Sequence, residues 1–175
     1  MTDVNKLQEL AENGDAEAQN KLGEYYENDN EGSRNYEEAC KWYHKAAEQG
    51  YADAQCNLGW FYDYGGLGSR DPAQAVEWFR KAADQGHAPA MLSLALSYGS
   101  GEGVGLDFAM CIEWMQKAAE IGYAKAQWEL GKCYHEGFVI TQDLNKAAEW
   151  YRKAADQGLA CAKNNLELLK SEGKI

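Results

Sequence analysis

Trp78-Phe79-Arg80-Lys81-Ala82-Ala83-Asp84-Gln85-Gly86 decides the fold, because the same stretch returns as Trp42 to Gly50, Trp114 to Gly122 and Trp150 to Gly158. The step is always 36 residues, and no insertion breaks it. A fixed period of this size is the signature of stacked supersecondary units, each too small to bury its own apolar face. Working outward, Gly14 joins Gly50, Gly86, Gly122 and Gly158, while Leu22, Leu58, Leu94, Leu130 and Leu166 keep the same step, as do Tyr26, Tyr62, Tyr98 and Tyr134.

Within one unit, Ala52, Ala54, Leu58, Gly59, Phe61 and Tyr62 keep apolar or small residues at spacings of three and four, which predicts a first helix, here called helix A. A glycine-rich turn (Gly65, Gly66, Gly68) leads to Asp71-Pro72, an N-cap followed by proline at the first helical position, and a second helix, helix B, running to Gly86. Asn35, Asp107 and Asp143 hold the same capping position in the other units. Small residues at Gly23, Gly59, Ala95 and Gly131, with the alanine pairs of helix B, let helix axes approach closely. The expected fold is all-α, a right-handed α-solenoid of helix-turn-helix repeats in one domain, 1-175. Four full repeats (14-49, 50-85, 86-121, 122-157) lie between capping helices at 1-13 and 158-175, ten helices and no strand.

The chain has 175 residues, 45% of them hydrophobic, enough for a fold of its size to bury roughly 70% of its unfolded surface. Its net charge of -11 sets a field that repels phosphate backbones and anionic lipid, which argues against nucleic-acid and membrane partners. Charge falls mostly at one end, with -5 over residues 14 to 49 and 0 over 122 to 157. No basic, apolar leader and no stretch of about 18 apolar residues is visible, so the expected compartment is cytoplasmic, or periplasmic or secreted if a signal was removed. Five cysteines, an odd number without zinc spacing, read as free thiols, with Cys40 and Cys111 expected to be buried and unreactive.

The pattern Ala-x-Ala-Gln-x-x-Leu-Gly, a Gly-x-Gly-Val turn (Gly101 to Val104), Asp107, and Trp-Tyr-x-Lys-Ala-Ala-x-Gln-Gly (Trp150 to Gly158) resembles the Sel-one-like repeat, a relative of the tetratricopeptide repeat. The resemblance covers residues 14 to 170 and implies a non-catalytic scaffold or adaptor, of the kind found in bacterial signalling and host interaction and in eukaryotic protein quality control, that binds a peptide or protein partner in its concave groove. Two departures stand out. The first turn, Asn28 to Asn35, lacks the Gly-x-Gly-Val form. Secreted cysteine-rich members staple each unit with a disulfide, whereas alanines stand around those places here (Ala47, Ala54, Ala83, Ala90), which weakens the alternative that the resemblance implies, a hydrolase of the cell-wall or β-lactam type as in that branch.

Signs of catalysis are weak. His44 and His135 fall at positions that vary freely among polar residues and read as solvated surface, and His87 beside Gly86 reads as turn packing. No serine-hydrolase, Walker or zinc-protease motif occurs, so no catalytic residue, metal site or cofactor is assigned. Glu27, Asp29, Glu31, Gly32 and Glu38 imitate the spacing of a calcium loop, but Arg34 takes its apolar anchor position and helix B begins inside it, which favours a solvated acidic turn. Gly99 to Gly103 imitates a phosphate loop, but it follows a helix and carries Glu102.

Specificity in a repeat protein should lie where its units differ. One helix A position reads Asn20, Cys56, Leu92, Trp128, Asn164, and another, one turn later, reads Glu24, Trp60, Leu96, Lys132, Leu168. Trp60, Leu92, Leu96 and Trp128 are expected to form an exposed apolar stripe that anchors the partner, with Lys132 orienting an acidic group on it and Glu24 bordering the acidic end. The protein is expected to be a monomer or weak dimer.

Overall fold

A computed structural model describes residues 3 to 28 and 34 to 175. Among them are ten helices and no strand: α1 (Asp3–Glu12), α2 (Ala16–Glu27), α3 (Tyr36–Glu48), α4 (Ala52–Tyr64), α5 (Pro72–Asp84), α6 (Ala88–Ser100), α7 (Phe108–Glu120), α8 (Ala124–Glu136), α9 (Leu144–Asp156) and α10 (Ala160–Ser171). Even numbers are the A helices of the repeats, and odd numbers from α3 are the B helices. The calcium-like residues Asp29, Glu31 and Gly32 lie outside the described residues.

Short-range chemistry starts and ends the B helices where the period requires. Asn35, Asp71, Asp107 and Asp143 each accept the backbone N–H three residues on, at 3.0 to 3.1 Å. Their own N–H groups donate to the carbonyls of Tyr26, Tyr62, Tyr98 and Tyr134, at 2.7 to 2.9 Å. That single bond closes each A-to-B turn, including the first, so the cap and the tyrosine stay nine residues apart whatever the turn contains. At the other end of the B helices, Gly50 (φ 86°) donates to Ala47 while Tyr51 donates to Ala46, the paired bonds of a Schellman motif. The same two bonds recur at Gly14, Gly86, Gly122 and Gly158, all with positive φ.

Two compact units are formed, one of Met1–Ala90 with Glu102–Val104, the other of Met91–Gly101 with Gly105–Ile175. In the first, α1 packs on α2, α2 on α3, α3 on α4 and α4 on α5. Its core holds Tyr43, Leu58, Phe61 and Trp78, with a smaller cluster of Ala11, Leu22 and Trp42 beneath α1. In the second, α7 packs on α8, α8 on α9 and α9 on α10, around Tyr151, Leu166 and Leu169. Burying a leucine such as Leu58 contributes roughly 1.5–3 kcal/mol, and every complete repeat has one with no exposed surface.

Two side-chain devices repeat with the backbone. Buried Gln19, Gln55 and Gln127 on α2, α4 and α8 donate across eight residues to the carbonyls of Ala11, Ala47 and Ala119, tying each of these three helices to the one before it. Each then accepts from the glutamine that ends its own repeat's B helix: Gln49, Gln85 and Gln157. On the B helices, Lys45, Lys81, Lys117 and Lys153 lie over the rings of Trp42, Trp78, Trp114 and Trp150, at 3.6 to 4.2 Å from their centroids. The tryptophans thus pack inward while a cation covers their outer faces.

Candidate partner-binding groove

The open face of the first unit is built by α2 and α4. Positions three or four apart share a helix face, so Asn20 and Glu24 on α2 stand beside Asn57 and Trp60 on α4. Asn57 Nδ2 donates to Asn20 Oδ1 at 3.0 Å, and both asparagine amides donate to Glu24 Oε1, from Asn20 at 2.9 Å and from Asn57 at 3.2 Å. Asn20 is only 4% exposed, whereas Glu24 is open to solvent. A buried amide therefore fixes an exposed carboxylate.

A groove of about 400 Å³ opens along this face, with Glu24 and Trp60 on its lining and His87 and Pro89 at the start of α6 closing the side. Two other carboxylates in it already have cationic or ionisable partners. Glu17 pairs with Lys21 one turn along α2, and Asp53 Oδ1 accepts from His87 Nε2 at 2.8 Å. His87 Nδ1 accepts the Ala90 N–H at 3.3 Å, so the ring caps α6 through one nitrogen and donates to Asp53 through the other. The Tyr51 phenol, also in the groove, is pushed up to about 12 by desolvation and then by its hydrogen bond to Asp53, with Asp53, Glu17 and Glu24 adding negative field.

The second unit treats its variable positions differently. Trp128 is half-buried, packs beside the core of α9 and α10, and donates from Nε1 to Asn165 Oδ1 at 3.2 Å. Lys132 lies 4.5 Å from the Trp128 ring centroid and pairs with Glu129 at 2.8 Å. Leu96 is 47% exposed.

The expected apolar stripe needs correction at Leu92, which is 3% exposed and belongs to the core. Asn20 and Cys56, at the same repeat position, are buried too. That position faces neighbouring helices, as the bond from Asn57 to Asn20 shows within the first unit, and the open position is the one a turn later: Glu24, Trp60, Leu96. Nor are two histidines solvated. His44 is half-buried, edge-on to Trp78 and bonded through Nε2 to the Tyr62 hydroxyl at 2.9 Å, and burial lowers its pKa. His135 is half-buried and reaches the Tyr151 hydroxyl at 3.3 Å. Sequence reasoning missed this because free variation among polar residues looks the same whether the site is exposed or rests on a tyrosine.

All five cysteines are free thiols. Cys40, Cys56 and Cys111 are buried, and burial pushes the Cys56 thiol up to about 12 and Cys133 to about 11. Among the described residues no three His, Cys, Asp or Glu side chains come together as a metal site, and no helix is long and apolar enough to cross a membrane.

Comparison with known proteins locates this architecture. The Sel1 repeat pattern matches four times, at residues 16–51, 52–87, 88–123 and 124–159, each two residues out of phase with the units bounded by glycine. The chain is similar to c5321, a protective antigen present in uropathogenic Escherichia coli strains and displaying an SLR fold. Identity is 39% and the TM-score 0.90, over 99% of this chain and 37% of that one. It therefore spans little more than a third of that relative's length. A Sel1 repeat protein from Oxalobacter formigenes is 30% identical with a TM-score of 0.84, over 98% of this chain and 76% of the other. Helicobacter pylori cysteine rich protein B shares the fold, at 20% identity and a TM-score of 0.57, over 73% of this chain and 96% of that one. No curated protein sequence matches the chain.

Proposed function

Because the chain belongs to the Sel1 repeat family, whose members are generally non-enzymatic scaffolds for protein partners, we propose that it is an adaptor that seats a peptide or protein partner on its A helices. The observation that carries this reading is the groove of about 400 Å³ on α2 and α4, where Trp60 and a fixed carboxylate, Glu24, share one lining. Large amphipathic side chains beside oriented polar groups are the usual makings of a hot spot. In the second unit Leu96, Trp128 and Lys132 occupy the equivalent repeat positions.

The protein acts in a reducing, cytoplasmic setting, a reading supported by five cysteines that form no disulfide. It works as a monomer or weak dimer, and without nucleic acid or membrane, the latter in keeping with its net charge of -11. Capture on immobilised protein, run in parallel with a Trp60→Ala variant of unchanged helicity and melting temperature, tests the assignment. Partners held by the parent and lost by the variant are the expected result. An identical set on both would remove the groove from the proposal.

A further inference from the structure

The groove of the first unit is more than an open face, because its carboxylates are not equivalent. Glu17 is paired directly with Lys21, and Asp53 is engaged by His87. Glu24 takes its direct hydrogen bonds from two neutral amides, both on Oε1, while the Lys21 ammonium, bonded to Glu17, feels its field without pairing with it. Neutral donors orient a carboxylate without cancelling it.

Holding it this way has a cost. Asn20 buries an amide at a position where other repeats place Cys56, Leu92 and Trp128, and a buried amide is tolerated only when its hydrogen bonds are met. Here they are met by Glu24 and by Asn57 on the next A helix, so the polar substitution in α2 serves to fix one exposed carboxylate. A supporting shell that locks a charged side chain in place is what a pre-organised recognition site requires. Trp60, one helical turn beyond Asn57 on α4, lines the same groove and brings an aromatic surface to it.

We infer that the groove receives a basic segment of a partner protein, with an arginine side chain placed between the Glu24 carboxylate and the Trp60 ring. A guanidinium suits both walls, since it binds carboxylates through its planar fork and stacks on aromatic faces. The surrounding charge agrees: residues 14 to 49 carry -5, so a cationic segment is drawn toward this unit and an acidic one repelled. The inference rests on the groove being the partner-binding surface and adds the chemistry of its occupant.

A pair of acetylated, amidated glycine-serine dodecapeptides, one with a single central arginine and the other with citrulline there, tests it by NMR titration of the full chain. Citrulline keeps the shape and removes the charge. The arginine peptide should move the side-chain amide signals of Asn20 and Asn57 and the indole signal of Trp60, and bind about tenfold or more tighter than the citrulline peptide. Glu24→Gln keeps an acceptor oxygen for both asparagines and should abolish that preference, while Glu9→Gln, exposed on α1, should keep it. Equal binding of the two peptides at these signals overturns the cation inference and leaves the groove as a peptide site. No movement at millimolar arginine peptide overturns it too, as does an equal loss in Glu9→Gln, which would reveal diffuse charge attraction. Failure of the groove itself is read separately, from undiminished partner capture by Trp60→Ala.

Discussion

The ring of Tyr151 lies against Gly131 so closely that a Cβ on that glycine would stand 2.6 Å from Cδ1. Gly59 and Phe79 stand in the same relation at 2.5 Å, and Gly23 and Tyr43 at 2.6 Å. In the third repeat the two positions hold Ala95 and Met115, both buried. Among the four repeats a methyl group stands at this A-helix position only where the paired B-helix position holds a flexible thioether rather than a ring.

Gly131→Leu should therefore cost about 3 kcal/mol or more, since a packed stack has no room to relax. Gly131→Ala sets about 1 kcal/mol of helix propensity against about 1–3 kcal/mol of overpacking and should come out destabilising. Adding Tyr151→Met to Gly131→Ala rebuilds the third repeat's pair and should recover part of the loss. Urea midpoints of the four proteins give the coupling, and strict additivity would disprove it.

The glutamine pairs allow a second cycle. Gln19 with Gln49, Gln55 with Gln85 and Gln127 with Gln157 are bonded at 2.7 to 2.8 Å, and the third repeat replaces both members at once, with Met91 and Ile121. Gln127→Met alone takes a partner from Gln157 and leaves the Ala119 carbonyl without its side-chain donor, a loss of about 1–3 kcal/mol. Combined with Gln157→Ile it should cost less than the sum of the two single changes, by roughly 0.5–1.5 kcal/mol.

Alkaline pH should weaken the fold. Burial raises the thiols of Cys56 to about 12 and Cys133 to about 11, raises Cys40 and Cys111, and drives the Tyr43 and Tyr151 phenols upward as well. A group whose folded pKa lies above its unfolded value stabilises fully below the unfolded value and loses that stability as pH rises toward the folded one. Denaturant midpoints should therefore fall from about pH 9 upward, where unfolded thiols ionise. Disulfide-exchange reagents at pH 8 should label half-buried Cys161 before Cys40, Cys56 and Cys111. Simultaneous labelling of all five would contradict the burial.

What could be read from the sequence follows from how local each interaction is. Caps such as Asp71, the glycines that end helix B and the leucines of helix A act within a few residues, so the 36-residue period reveals them directly. The glutamine ladder was visible in principle, since both members vanish together at Met91 and Ile121, but its bonds span 30 residues and needed the packed helices to be seen. The Asn20, Glu24 and Asn57 network was hidden more deeply. It departs from the repeat, and its sense lies in two helices meeting. Leu92 is the converse case: its position varies between repeats yet is buried, because variation accompanies a changed neighbour as readily as an open surface.

Gly103 gives the sharpest case of a residue whose reason lies outside its own turn. Its sequence context imitates a phosphate loop, yet its φ is +73° and a Cβ there would stand 2.1 Å from the Pro72 carbonyl oxygen at the start of α5. Close by, Arg70 Nη2 donates to Glu102 and to Asp63, both at 3.0 Å, joining the turn to the end of α4. Gly103 thus lets one turn lie against the backbone of the preceding repeat. Gly103→Ala meets both the left-handed backbone and a rigid carbonyl, so it should cost about 2 kcal/mol or more, whereas Gly105→Ala, two residues on with nothing within 4 Å of its Cβ, should be near neutral. Thermal melts of the two variants beside the parent decide the matter: equal midpoints for Gly103→Ala and Gly105→Ala would mean that this turn does not need its glycine.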